Sequence, residues 1–210
     1  MKTTGRWGLS IAATMLTTLL AADAVLAQVV PAEQNGQSGQ LNLAVTYDAL
    51  QANFITAQNF WMEGGAVELG VPLYHSLGIA VRSEGLHSGA SSTATEPLSL
   101  LTAVLGPRFT LEAHNQRYAL FGEGLAGIAD GFNSLFPVRS GPVSSANAGT
   151  ISNANSLALD IGGGLDVRLN HHLAVRAIRV SYLRTQLPNT TSNTQNNLSC
   201  SAGIVFNFGK

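Results

Sequence analysis

The chain has a single cysteine, Cys200, so no internal disulfide can form. Its lysines are Lys2 and Lys210, and charged residues make up only 11% of it, against roughly 25% in ordinary soluble domains. Beyond residue 27 no uninterrupted apolar run reaches the ~18 residues that a spanning helix needs. Basic excess is missing too. Eleven Lys and Arg stand against twelve Asp and Glu, which argues against a nucleic-acid partner. Few charges, 45% apolar residues and no spanning helix are hard to combine in a water-exposed secreted domain. They suit a wall whose apolar residues fall on every second position.

What is present begins with MKTTGRWGLSIAATMLTTLLAADAVLAQ. Lys2 and Arg6 precede an apolar run, and Val25-Leu26-Ala27 offers small residues at a cleavage site. That order predicts a cleavable signal peptide over 1–27 and hence export. No cysteine sits just past the predicted cut, so a lipoprotein is not expected. Residues 28–40 carry no periodicity and are assigned to a flexible leader.

From residue 41 onward the chain alternates. In 156–170, SLALDIGGGLDVRLN, the side chains Leu157, Leu159, Ile161, Leu165, Val167 and Leu169 share one parity, while Asp160, Asp166 and Arg168 share the other. A strand of this kind has one apolar and one charged face. Eight such segments are predicted, at 41–53, 61–73, 77–87, 98–111, 118–131, 156–169, 173–185 and 198–208. Connections at 74–76, 112–117 and 170–172 are short. Those at 54–60, 88–97, 132–155 and 186–197 are longer and polar. Short turns on one side and long loops on the other are the layout of an outer-membrane barrel, with turns in the periplasm and loops outside. Trp61, Phe132 and Tyr182 fall toward the outer strand ends, and Tyr74, Phe109, Tyr118 and Phe208 toward the inner ones, as two aromatic girdles would.

Three features strain the pattern. Arg176 and Arg179, three apart, cannot share a face of a regular strand, so a β-bulge or a rim position is expected there. Pro72 and Pro107 each remove a ladder donor, and both fall near predicted periplasmic strand ends. Cys200 takes an outward apolar position and reads as a small hydrophobe.

The last strand ends SAGIVFNFGK. Ser201, Gly203, Phe206 and Phe208 resemble the C-terminal insertion signal of outer-membrane proteins, which implies recognition by the barrel-assembly machinery. Across 41–208 the chain resembles the small eight-stranded barrels of the OmpA, OmpX and opacity-protein type. The resemblance implies an all-β fold: an eight-stranded, antiparallel, up-and-down transmembrane barrel in the bacterial outer membrane, surrounded by its lipids. The peptidoglycan-binding domain that often follows OmpA-type barrels is not expected.

An eight-stranded barrel is narrow enough to be filled by its own side chains. The charges on the polar faces of these strands are therefore expected to form an interior ion network of Glu68, Arg82, Glu84, Arg108, Glu123, Asp166 and Arg168. Two groups are expected: Arg108, Glu123, Asp166 and Arg168 in the periplasmic half, and Glu68, Arg82 and Glu84 near the middle. Buried charges left unpaired cost several kcal/mol each, so pairing is required. Such a network would plug the lumen. Catalysis is not expected. Asp160 and Asp166 lie roughly 20 Å apart along a strand, too far for shared acid–base work. His75-Ser76 and His87-Ser88 are adjacent, so their side chains point opposite ways. No metal site is expected at His171-His172, and no cofactor. The expectation is a non-enzymatic barrel with a structural or surface-interaction role, any extracellular partner meeting loops 132–155 and 186–197. Alternatives are a small-solute porin and, with less support, a lipid A-modifying barrel enzyme or a secreted lipocalin-like binder with the parity reversed.

Overall fold

The computed structural model describes residues 40–53, 60–88, 97–113, 117–139, 148–188 and 193–208. The expected signal peptide, and the leader apart from Gln40, lie outside the described residues. Eight strands form: β1 (Leu41–Ala52), β2 (Phe60–Tyr74), β3 (Leu77–Ser88), β4 (Leu98–Glu112), β5 (Tyr118–Arg139), β6 (Ala148–Arg168), β7 (Leu173–Thr185) and β8 (Gln195–Phe208). Each pairs antiparallel with its neighbour in sequence, and β1 pairs with β8, so the sheet closes into a barrel. Closure leaves the wall without an edge to template aggregation. At ~3.3 Å per residue and a tilt of about 40°, the 12 residues of β1 rise about 30 Å, enough to cross a hydrocarbon band of ~25 Å.

The alternation resolves in favour of lipid outside. Leu157, Leu159 and Ile161 point outward, Ile161 65% exposed, while Asp160 between them is 2% exposed. The same inversion holds for Val45 and Tyr47 against Asp48, Val81 against Arg82, and Leu105 and Phe109 against Arg108. A continuous wall of exposed Leu, Ile, Val and aromatic residues is stable only against hydrocarbon. A lipocalin-like barrel, with leucines around a cavity and charges in water, is excluded by this parity. Trp61, Tyr182, Tyr74, Phe109, Tyr118 and Phe208 all stand exposed on the outer wall. Cys200 is exposed there as well.

The turns at one end are tight for local reasons. His75, with φ 50°, closes the β2–β3 turn with Ser76. In the β6–β7 turn the Asn170 side-chain oxygen accepts from the backbone N–H groups of His172 and Leu173, both at 2.9 Å. His171 and His172 thus belong to an Asx-type turn. Pro72 sits at a register shift between Pro72 and Tyr74. Beside Pro107 the β4–β5 pairing is interrupted between Leu105 and Arg108.

At the other end the expected loop 132–155 is corrected. β5 and β6 continue past the other strands and pair again from Phe136↔Ile151 to Arg139↔Ala148. The residues between them reduce to 140–147, outside the described residues. A register shift between Phe132 and Phe136, with Asn133 at φ 60°, marks a bulge that resets the alternation. That interruption, in a stretch rich in Ser, Asn and Gly, hides the strand period. Likewise β8 begins at Gln195, so the 186–197 connection ends three residues earlier than expected.

The interior has two layers. Toward the long-loop end Leu50, Met62, Leu86, Leu98, Leu100, Leu183, Phe136 and Leu187 pack as an apolar cluster. Below it lie charges. An arginine placed on the lipid face at mid-height, Leu105→Arg, is expected to destabilise the barrel by about 2–4 kcal/mol. Urea unfolding in phospholipid vesicles measures this; a change within about 0.5 kcal/mol, typical of a water-facing site, would contradict the orientation.

Candidate functional site

Seven of the eight strands send charged side chains into the interior, and Glu68 on β2 is where they meet. Arg108 Nη1 reaches its Oε1 at 2.6 Å and Arg176 Nη1 reaches the same oxygen at 2.8 Å. Arg82 Nη1 lies 3.2 Å and Arg179 Nε 3.9 Å from its Oε2. One carboxylate is thus approached by four guanidiniums, from β3, β4 and β7. Around this centre Arg82 also meets Asp48 at 2.6 Å and Glu84 at 3.9 Å. Arg179 binds Glu123 at 2.7 Å, Asp160 at 2.9 Å and the Ser181 hydroxyl at 2.9 Å. Arg176 grips Asp166 with two bonds, at 2.8 and 3.1 Å. Planar guanidinium forks suit this shared, multidentate geometry, which a lysine could not reproduce. The pairs follow from the ladder: Glu68 lies directly opposite Arg82, Arg108 opposite Glu123, and Asp166 opposite Arg176.

Space for these large side chains comes from glycine. Gly70 on β2 faces Arg108, whose Nη1 lies 3.3 Å from where a Cβ would stand. A Cβ at Gly164 would meet the ring of Phe121 at 2.8 Å. That buried ring lies beneath two guanidiniums, with the Arg108 Cζ 3.9 Å and the Arg176 Cζ 4.4 Å from its centre, a favourable cation–π arrangement. Gly164 thus leaves the lumen room for the Phe121 ring.

The seventh strand contains the bulge. Between Arg176 and Arg179 the register shifts against β8, and on β6 consecutive residues Leu165 and Asp166 oppose Ile178 and Arg176. Ala177 is the extra residue, Ala177 and Ile178 both face outward, and both arginines turn inward, each at most 1% exposed.

Of the seven residues expected inside, Glu68, Arg82, Glu84, Arg108 and Glu123 are buried and Asp166 nearly so. The expectation of two separate groups is corrected: Glu68, Arg108, Arg176 and Arg179 join them into one network. Arg168 is corrected as well. Its side chain is 26% exposed and pairs with Glu112 at 3.1 Å, at the end of β6 where water reaches it. Asp48, Asp160, Arg176 and Arg179 are members that the sequence reasoning missed. Asp48 and Asp160 have the inward parity of their strands. The arginines were hidden by the bulge, though three-residue spacing of two cations in an apolar strand was itself a signal. Below the network an open cavity of about 50 Å³, lined by Asn42, Thr110, Glu112, Arg168 and Asn207 among others, has room for a few waters. In the terminal strand Ser201 points inward, and Phe206 and Phe208 stand on the outer wall.

On the outer wall His87 finds a hydroxyl partner that its chain neighbours did not suggest. Its Nδ1 and Ser99 Oγ, directly opposite on β4, share a hydrogen bond of 2.9 Å. Ser99 Oγ also accepts from Asn133 Nδ2 at 3.3 Å. Glu63 stands opposite His87 on β2.

A closed eight-stranded wall with apolar exterior and ionic interior defines a small transmembrane β-barrel of the outer-membrane type. Solved structures of that class resemble it. Neisserial surface protein A superposes with a TM-score of 0.62 at 12% identity, over 82% of this chain and 100% of that one. Ail, the attachment invasion locus protein of Yersinia pestis, gives 0.54 at 14% identity alone and 0.54 at 15% in complex with the heparin analogue sucrose octasulfate, with the same coverages. At these identities the likeness is one of fold. No protein-family model and no curated protein matches the chain.

Removing the central carboxylate by Glu68→Ala takes the one close partner from Arg108 and a shared one from Arg82 and Arg176, and is expected to cost at least ~3–5 kcal/mol. Arg168→Ala at the rim should stay within about 1 kcal/mol. Unfolding in vesicles compares the two; equal losses would show that Glu68 is not the centre of the network.

Proposed function

We propose that this protein is an integral outer-membrane barrel with a structural and surface-interaction role, whose lumen is plugged by its own ion pairs. The observation that carries this is Glu68, a buried carboxylate bonded to guanidiniums from β4 and β7, across the lumen, as well as from adjacent β3. These contacts bridge the barrel where a conducting pore would need open water. They also engage the charged side chains in one another, so the interior serves stability rather than chemistry.

The reading is non-enzymatic. The His87–Ser99 contact brings a base to a hydroxyl, but a working nucleophile also needs a group that orients the base. The acid nearest in register is Glu63, and among the described residues no hydrogen bond joins it to His87. Surface interaction falls to what the rigid wall displays: the 186–194 connection and the β5–β6 ribbon with the residues joining it, since recognition is commonly built on segments held by a rigid scaffold. Outer-membrane lipids and, during insertion, the barrel-assembly machinery complete the set of partners, the latter reading Ser201, Gly203, Phe206 and Phe208.

Planar-bilayer recording of the refolded chain tests the plug, and no discrete conductance steps are expected. Steps of uniform size would favour the small-solute porin instead. Deletion of 137–152 is expected to leave a barrel that still migrates differently boiled and unboiled, while binding of cells to an expressing surface is lost. Retained binding would move the interaction elsewhere on the protein.

A further inference from the structure

The outward end of the interior contains an arrangement that the ionic plug does not explain. Gln195, fully buried at the start of β8, directs its side-chain amide at the segment that leaves β7. Its Oε1 accepts from the Leu187 backbone N–H at 2.9 Å and from the Thr185 hydroxyl at 3.0 Å, and its Nε2 donates to the Leu187 carbonyl at 2.8 Å. Both polar groups of Leu187's backbone are thereby held by one side chain. Leu187 is itself fully buried, as is Phe136 from the far side of the β5 bulge. The two meet above Gly131: a Cβ there would lie 2.7 Å from the Phe136 ring and 3.3 Å from Leu187 Cδ1. Beneath them are Leu50, Met62, Leu98 and Leu183, with no charge among them.

We infer that the extracellular mouth has its own closure, separate from the ionic network: a strap in which Leu187, clipped by Gln195, packs with Phe136 over Gly131 and shuts water out of the apolar layer of the interior. This rests on the sealed-lumen reading above and adds to it. The two closures differ in kind. Ion pairs can exchange partners for water, whereas an apolar constriction excludes ions because they would shed hydration to pass it. The clip is also releasable. Three hydrogen bonds converge on one amide, so loss of that amide frees the strap while the barrel ladder stays whole.

The test reads access to that apolar layer. In the full chain refolded in phospholipid vesicles, with Cys200→Ser to remove the lipid-facing thiol, Met62→Cys places a thiol beneath the strap. Labelling by a small charged thiol reagent added outside should be slow, and Gln195→Ala should speed it about tenfold or more. Should Gln195→Ala fail to fold, judged by heat-modifiable migration, Leu187→Gly keeps the glutamine and should give the same acceleration. Unchanged labelling in a folded variant overturns the strap. The charge-neutral pair Arg82→Ser with Glu84→Ser, which loosens the ionic layer alone, should remain non-conducting; conduction from it would show that no second closure exists. Discrete conductance from the unaltered chain would instead sink the sealed-lumen reading itself, so the two failures are distinct.

Discussion

Hydrocarbon against the outer wall is the constraint on which the rest of the structure depends. It makes outward-facing Ile161, Leu105 and Ile128 favourable, and it leaves charged side chains in the spanning segments nowhere to go but inward. There they are cut off from bulk water, so each must find a partner of opposite sign. Four arginines and six carboxylates do so in one connected set, with Glu68 bonded to guanidiniums from three strands. The network is a consequence of the inversion as much as a device for function.

Several local departures from a regular strand become intelligible once the network is seen as the thing being accommodated. The bulge at Ala177 turns both Arg176 and Arg179 inward, where a regular strand could present only one. Inward glycines at 70 and 164 leave the room that a guanidinium and the Phe121 ring occupy. Each is unfavourable on intrinsic strand propensity. Their joint effect is a lower lumen filled by ten charged side chains and the Phe121 ring, above the small cavity at the periplasmic mouth.

A barrel filled in this way is a rigid pedestal. Its wall varies little in what it can display, because lipid restricts it to apolar and aromatic residues. The β5–β6 ribbon beyond Phe132 and the start of the connection after β7 lie past the other strands' ends and are free of that restriction. Division of labour between a lipid-matched wall and a water-matched rim is a physical outcome of the two solvents the protein spans.

The architecture was legible in the chain because period-two alternation is a local property, and the sparse charges said which face met lipid. Asp160 between Leu159 and Ile161 needs no tertiary knowledge to be placed on the opposite side from them. The strand count and the short-turn side follow from the same local signals. Partnership was decided elsewhere. That Arg176 reaches Glu68, 108 residues away, depends on barrel closure and on a bulge that breaks the very period used to read the strand. The strand pairing beyond Phe132 was likewise hidden, since a bulge at Asn133 shifts the alternation out of phase. So did the contacts of Gln195 with Leu187 and of His87 with Ser99, which join different strands. Outside the bulges, sequence determined which side of the wall a residue faces, because solvent acts on residues one at a time; tertiary structure decided where the bulges fall and which residues meet, because pairing depends on the register and curvature of the whole barrel.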